Sequence, residues 1–216
     1  NRKVAEYCTY RMVGGKKVAR TMIYRVHDEP NEEKLTRFRD FIVRFGYQFR
    51  ASKGRAVAKA INKLVTEIKG RPEANAISTL AVRSMSKALY TTDNMGHYGL
   101  AFKYYTHFTS PIRRYPDMMV HRLLARYLAE GKSADKTKLE AQCVYATERE
   151  IIASEAERAS IKYKMVEFMS DKVGNVYTGH ISGIQSYGVY VEIDENHCEG
   201  LVSLRDLDDD YYDLDE

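Results

Sequence analysis

Residues 97–124 read HYGLAFKYYTHFTSPIRRYPDMMVHRLL, with seven His, Arg or Lys residues, four tyrosines and two prolines five positions apart. Two adjacent arginines, Arg113 and Arg114, stand between those prolines. That arrangement suits phosphate: a planar guanidinium makes two parallel charge-assisted hydrogen bonds, and a rigid turn fixes where it points. Backbone N–H groups at a helix start add a second anion site. Pro111 after Ser110 fits a capped helix start, because proline at the first helical position forfeits no needed hydrogen bond. On that reading Pro116 falls inside the helix and kinks it. An ordinary helix with a surface arginine pair has the same composition, so the run alone leaves both readings open. Beyond Pro116, the residues Val120, Leu123, Leu124, Tyr127 and Leu128 form an apolar stripe, with His121 and Arg122 toward its flanks.

The charge distribution points the same way as the arginines. The 216 residues carry a net charge of +4. From Asp171 onward two basic residues stand against twelve acidic ones, a net of −10, which leaves +14 on residues 1–170. A basic body is the electrostatic footprint expected for a polyanionic partner, although solvated surface charge produces it too. Cys8, Cys143 and Cys198 are odd in number and far apart, which offers neither a disulfide framework nor a CxxC metal site. Three free thiols in a reducing cytoplasm are the expectation. No apolar stretch reaches the length of a membrane span, and the charged residues 1–11 do not open a signal peptide. The chain lacks an initiator Met, which is read here as a sign of a fragment.

The elements that would position these residues divide into two kinds. Residues 1–170 read mostly as helix. Residues 1–12 look like a helix tail ended by Gly14 and Gly15, and residues 18–26 are expected to be extended. Asn31 starts a helix with Glu32 and Glu33 in its first turn, where the macrodipole favours them. Leu35, Phe38, Ile42 and Phe45 keep helical spacing, and Gly46 supplies the stop. A second helix carries Ile61, Leu64, Val65 and Ile68. A third starts at Pro72 and is expected to bury Ile77, Leu80, Ala81, Met85, Ala88 and Leu89. A long helix over residues 136–169 follows the arginine run, with Ala153, Ala156 and Ala159 suited to close packing. From about residue 171 the period changes from 3.6 to 2. Strands are expected over residues 173–181, 188–193 and 200–204, with Gly183 and Asn196 in turns. The fold class is therefore α+β, with a helical body followed by a small β domain. The 46 residues after 170 are too few to close a barrel.

THFTSPIRRYPD followed by HRLL resembles the signature of the catalytic (RNB) domain of the ribonuclease II and ribonuclease R exoribonucleases. HYGLA upstream and YRVHDEPNEEKL from Tyr24 are similar to the ribonuclease R branch. GNVYTGHISGIQSYGVYVEI and EGLVSL then resemble the S1-type RNA-binding domain, an OB-fold, that follows the catalytic domain in these enzymes. The resemblance implies residues 1–170 as the C-terminal part of an RNB catalytic domain, and 171–216 as the start of the S1-type domain.

What the family does becomes the expectation for this chain. Its enzymes degrade RNA hydrolytically from the 3′ end, releasing nucleoside 5′-monophosphates with Mg²⁺. The first arginine of SPIRR, here Arg113, is the one the family uses at the scissile phosphate. Arg114 is expected on a neighbouring phosphate. Thr109, Ser110, His97, His107, Tyr115, His121 and Arg122 are candidate RNA-channel residues, though His107 and His121 equally fit satisfied core histidines. In the S1-type part, Tyr187 and Tyr190 occupy the places where aromatic residues stack bases, and Ser203 stands where many such domains carry His. The family's metal-binding aspartates have no counterpart here, and the acidic run from Asp206 to Glu216 reads as a solvated loop. No metal ligand is therefore assigned, and the chain alone is expected to be inactive. The partner is the single-stranded 3′ end of RNA, with no membrane and a monomeric state expected. The alternatives are a relative that only grips RNA, and an S1-type protein with an unrelated helical domain.

Overall fold

The computed structural model describes residues 1–49 and 55–207. The chain divides into two compact units, Asn1–Ile151 and Ile152–Glu216.

The first unit opens with helix α1 (Arg2–Thr9), which buries Ala5, Cys8 and Thr9. It is shorter than the sequence suggests, because Tyr10–Val13 (β1) leaves the helix to pair with Lys16–Ala19 (β2). Gly14 and Gly15 join them with φ of 54° and 78°. A two-residue hairpin turn with both central residues at positive φ is the geometry that glycine permits without strain. The expected extended stretch over 18–26 is thus two separate strands, the second being β3 (Tyr24–Val26). It pairs antiparallel with β4 (Leu89–Thr91), placing Arg25 opposite Tyr90 across 65 residues of sequence.

Helices α2 (Glu32–Arg44), α3 (Arg55–Glu67) and α4 (Ala74–Ser84) lie between those strands. Asn31 caps α2 by accepting from the Glu33 and Lys34 amides, and Gly46 ends it at a φ of 81°. Leu35, Phe38, Ile42, Val57, Ile61, Leu64, Ile77 and Ala81 close a core among these three helices. Helix α4 stops five residues short of the expected end. Leu89 belongs to β4 and is 39% exposed rather than core.

A second core forms where Met22, Ile23, Tyr24 and Tyr90 meet Met119, Val120, Leu123 and Tyr127 of α5 (Tyr115–Leu128) and Leu139 and Cys143 of α6 (Lys136–Met169). This core carries the arginine run. Pro111 does not start a helix: residues 111–113 form a turn, and α5 begins at Tyr115. Pro116 therefore lies in the first turn of α5, where no amide partner is needed, and does not kink it.

In the second unit β5 (Gly179–Gln185), β6 (Gly188–Ile193) and β7 (Glu199–Ser203) form one antiparallel sheet in that order. Residues 173–178, expected as strand, are not: the ladder with β6 ends at the Gly179–Ile193 pair, and beyond it only the Asp194 amide reaches back, to the Thr178 carbonyl at 3.1 Å. Gly183 is not in a turn but within β5, at a register shift next to Ile181. Ala153, Ala156 and Ala159 of α6 are exposed, contrary to the close packing expected of them. All three cysteines are free and buried. Among the described residues no helix is long and apolar enough to cross a membrane. The acidic run lies outside the described residues from 208 onward.

Candidate nucleic-acid interface

The arginine loop is held from both sides. Upstream, the 104–108 segment lies along β3, where the Arg25 amide donates to the Tyr105 carbonyl at 3.0 Å. The Phe108 carbonyl meets His121 Nε2 of α5 at 2.9 Å, and the two rings stack at 4.0 Å and 8°. Downstream, Asp117 in the first turn of α5 is fully buried. Its Oδ2 accepts from the Ser110 amide at 2.8 Å and from Arg114 Nη2 at 3.0 Å. Arg114 Nε also sits 2.9 Å from Oδ1, an ion contact off the N–H direction rather than a hydrogen bond. The amides of Arg113 and Arg114 return to the Ser110 carbonyl at 3.3 and 3.1 Å. One buried carboxylate thus closes the 110–117 loop, and it does so at a helix N-terminus, where negative charge is favoured.

Arg113 is left at the apex. It is exposed and makes no side-chain hydrogen bond or ion pair to any described residue. Ile112 beside it is fully exposed at 101%. Tyr115 and Arg122 are exposed on the same helix, again without a described side-chain partner, and the Thr109 side chain is open on the loop. This row of two free guanidiniums, a free phenol ring and a hydroxyl is suited to a phosphodiester strand. Arg114 differs, since Asp117 already holds its fork.

Behind the loop lies a network that the sequence hid. His107 Nδ1 meets the Tyr90 hydroxyl at 2.7 Å. The Arg25 guanidinium lies 4.5 Å above the Tyr90 ring, and its Nη1 pairs with Glu150 Oε2 at 2.5 Å. Burial pushes the Tyr90 phenol up to about 12. Burial, then the Arg114 and Arg25 guanidiniums, holds the His107 imidazole down at about 4. Both groups are therefore neutral near pH 7 and share one hydrogen. His107 and His121 are accordingly satisfied histidines that shape the loop. Neither Arg25 nor Tyr90 stood out in the sequence, because the β3–β4 pairing that joins them is long-range.

His97 is joined to His107 through a chain of rings. It stacks on His27 at 5.2 Å and 17°, and meets the Tyr105 ring edge-on at 5.2 Å. Tyr105 meets His107 in turn at 5.9 Å. His97 Nδ1 accepts from the Leu100 amide, and burial, then His27 and Arg25, holds the imidazole at about 4. His27, His97, Tyr98 and Lys103 line a cleft of about 520 Å³.

In the second unit Tyr187 and Tyr190 stand side by side, their hydroxyls 3.2 Å apart. The Ser203 hydroxyl accepts from the Arg205 amide, so it caps the turn that follows β7. Among the described residues no group of three or more His, Cys, Asp or Glu side chains could hold a metal ion.

Sequence comparison matches a model of the RNB domain over residues 1–130 and a model of the S1 RNA binding domain over 170–216. Ribonuclease R of Aquifex aeolicus is 40% identical over 198 residues, covering 90% of this chain and 28% of that protein. Mycoplasma genitalium RNase R in complex with ribose methylated single-stranded RNA superposes with a TM-score of 0.85 at 29% identity, over all of this chain and 34% of that one. The same protein in complex with double-stranded RNA gives 0.78 at 29% identity, over 93% and 35%. Yeast Ssd1, described as a pseudonuclease, gives 0.73 at 27% identity, over 94% and 25%. The chain spans about a quarter to a third of the length of the relatives it matches. With the RNB model covering well over half of the sequence and the arginine loop inside it, the chain belongs to the RNB domain family.

Proposed function

We propose that this chain is part of a ribonuclease R-like enzyme that hydrolyses RNA from the 3′ end, one nucleoside 5′-monophosphate at a time. The observation that carries the reading is Arg113: an exposed guanidinium, without a partner among the described residues, on a loop that a fully buried carboxylate locks from beneath. Hydrolysis of a phosphodiester adds water to phosphorus and expels the 3′ oxygen. Negative charge grows on the non-bridging oxygens as it does so. A guanidinium fixed before the reaction stabilises that charge without reorganising, an effect of about 3–4 kcal/mol for a single well-placed donor. Arg122 and Tyr115 hold the strand by charge and by stacking, while Arg114 holds the loop that presents Arg113. Tyr187 and Tyr190 offer a second stacking surface, worth about 1–3 kcal/mol per base. The strong acidity of residues 171–216 works against tight phosphate binding by that part alone.

The resemblance implies Mg²⁺ as the activator of the attacking water, but the described residues supply no site for it. The resemblance gives that step to aspartates that have no counterpart here, and on that reading this chain alone binds RNA without cleaving it. A soluble, monomeric, cytoplasmic enzyme is part of the same proposal. The test is a 5′-labelled single-stranded RNA incubated with the whole protein and Mg²⁺. Stepwise shortening with nucleoside 5′-monophosphates as product supports the reading. RNA that is bound and never shortened points to a non-catalytic relative, as Ssd1 is described to be.

A further inference from the structure

The β1–β2 hairpin is exposed along all eight of its strand residues, and a two-stranded ribbon open to water on both faces is marginal by itself. Its composition is one-sided. From Tyr7 to His27 the chain carries five basic residues and no acidic one. Alternation puts Tyr10, Met12 and Lys17 on one face, with Lys17 directly opposite Met12.

The root of that face touches the segment leading into the arginine loop. The Tyr10 and Tyr104 hydroxyls are 3.3 Å apart, and their rings meet edge-to-face at 6.3 Å and 84°. Lys17 Nζ lies 5.8 Å from the centre of the Tyr10 ring, and Lys103 Nζ lies 5.6 Å from the centre of the Tyr104 ring. Neither lysine is ion-paired to a described residue, and both are exposed. The result is a surface series of cation, ring, ring and cation. Interleaved rings and cations suit single-stranded nucleic acid, because the rings accept any base and the cations meet the phosphates between bases. This adjacency to the arginine loop favours RNA over an acidic protein.

We propose that Lys17, Tyr10, Tyr104 and Lys103 form a second single-stranded RNA contact that extends the track away from the Arg113 loop. The proposal rests on the reading of the chain as an RNA-binding part of an exoribonuclease. Lys17 and Lys103 contact phosphates on either side of the nucleotides whose bases the two tyrosine rings stack.

Fluorescence anisotropy of a labelled oligouridylate, titrated with the chain across salt concentrations, tests this. Lys17→Ala/Lys103→Ala flattens the plot of log affinity against log salt by about 1.4, at about 0.7 per phosphate released from a single strand. Tyr10→Ala and Tyr104→Ala each weaken binding about 5-fold or more, whereas Tyr10→Phe and Tyr104→Phe keep the rings and retain affinity. Melting by circular dichroism confirms that the variants stay folded. An unchanged slope in the double lysine variant, with a flattened one in Arg122→Ala, overturns the second contact and leaves the RNA reading intact. Wild-type chain that shows no salt-dependent RNA binding overturns both. Loss on removing the lysines but not the rings reduces the feature to charge adsorption and overturns the proposal. An oligoglutamate peptide whose binding depends on these lysines while RNA binding does not also overturns it, in favour of a protein partner.

Discussion

Asp117→Asn is the sharpest structural perturbation that the arginine loop offers. The side chain is 0% exposed, and it neutralises an Arg114 side chain that is itself only 22% exposed. Asparagine keeps an acceptor for the Ser110 amide, so that hydrogen bond does not enter the estimate. What is lost is the charge, and removing one partner of a buried pair costs about 3–5 kcal/mol. Arg114 retains some contact with water, which places the cost at the low end, about 3 kcal/mol. For a unit of 151 residues (Asn1–Ile151), each kcal/mol moves the melting temperature by about 2–4 °C. The expected fall is therefore about 6–12 °C, read by circular dichroism or calorimetry on the chain. Arg114→Ala falls by a similar amount, and the two changes together cost less than their sum, because each removes the same pair. Arg113→Ala, by contrast, stays within about 0.5 kcal/mol of wild type, since the side chain is exposed and has no hydrogen-bond or ion-pair partner among the described residues. An Asp117→Asn variant that melts with the wild type refutes the view that this pair locks the loop.

Other outcomes follow from the same geometry. Arg122→Ala weakens single-stranded RNA binding and lowers its salt slope by about 0.7, and an unchanged slope in the same titration contradicts a phosphate contact. His97 and His107 have folded values of about 4 against an ordinary 6.5. The unfolded chain takes up these protons first, so the stability they contribute is complete above about pH 6.5 and is lost as pH falls toward 4. Urea midpoints therefore drop as the pH is lowered through that window, and the drop is smaller in His107→Gln; an equal drop in that variant contradicts the assignment. Replacing Tyr187 and Tyr190 by Ala weakens single-stranded RNA binding by about 5-fold or more per stacked base without changing the salt slope, as measured by anisotropy.

Local chemistry accounts for what was legible in the sequence. Helix α6 runs over Lys136–Met169 as its length and spacing indicate, and Asn31 caps α2 through the predicted first turn. These features depend on neighbours within four residues. The prolines were harder. Pro111 suits either a helix start or a turn, and the choice is made by Asp117, whose bond to the Ser110 amide draws residues 111–113 into a turn. Residues 173–178 follow the change of composition that marks the β region, but a strand needs a ladder partner, and β6 pairs only from Gly179 onward. The largest omission was Arg25 with Tyr90. No local pattern marks either residue, and only the pairing of β3 with β4 brings them beneath His107. The resemblance singled out Arg113, and the structure leaves it exposed and without a side-chain partner among the described residues. It adds that the neighbouring arginine, alike in sequence, is held by Asp117.

On the proposed function, Arg113 acts on the phosphate being cleaved rather than merely on the strand. The direct measurement compares wild type and Arg113→Ala in the whole protein, with single-turnover cleavage rate and RNA Kd determined on the same oligoribonucleotide. The expected rate is lower by about 100- to 1,000-fold, the scale of losing one preorganised donor, with Kd nearly unchanged. A rate that survives, or a Kd that weakens as much as the rate, contradicts it.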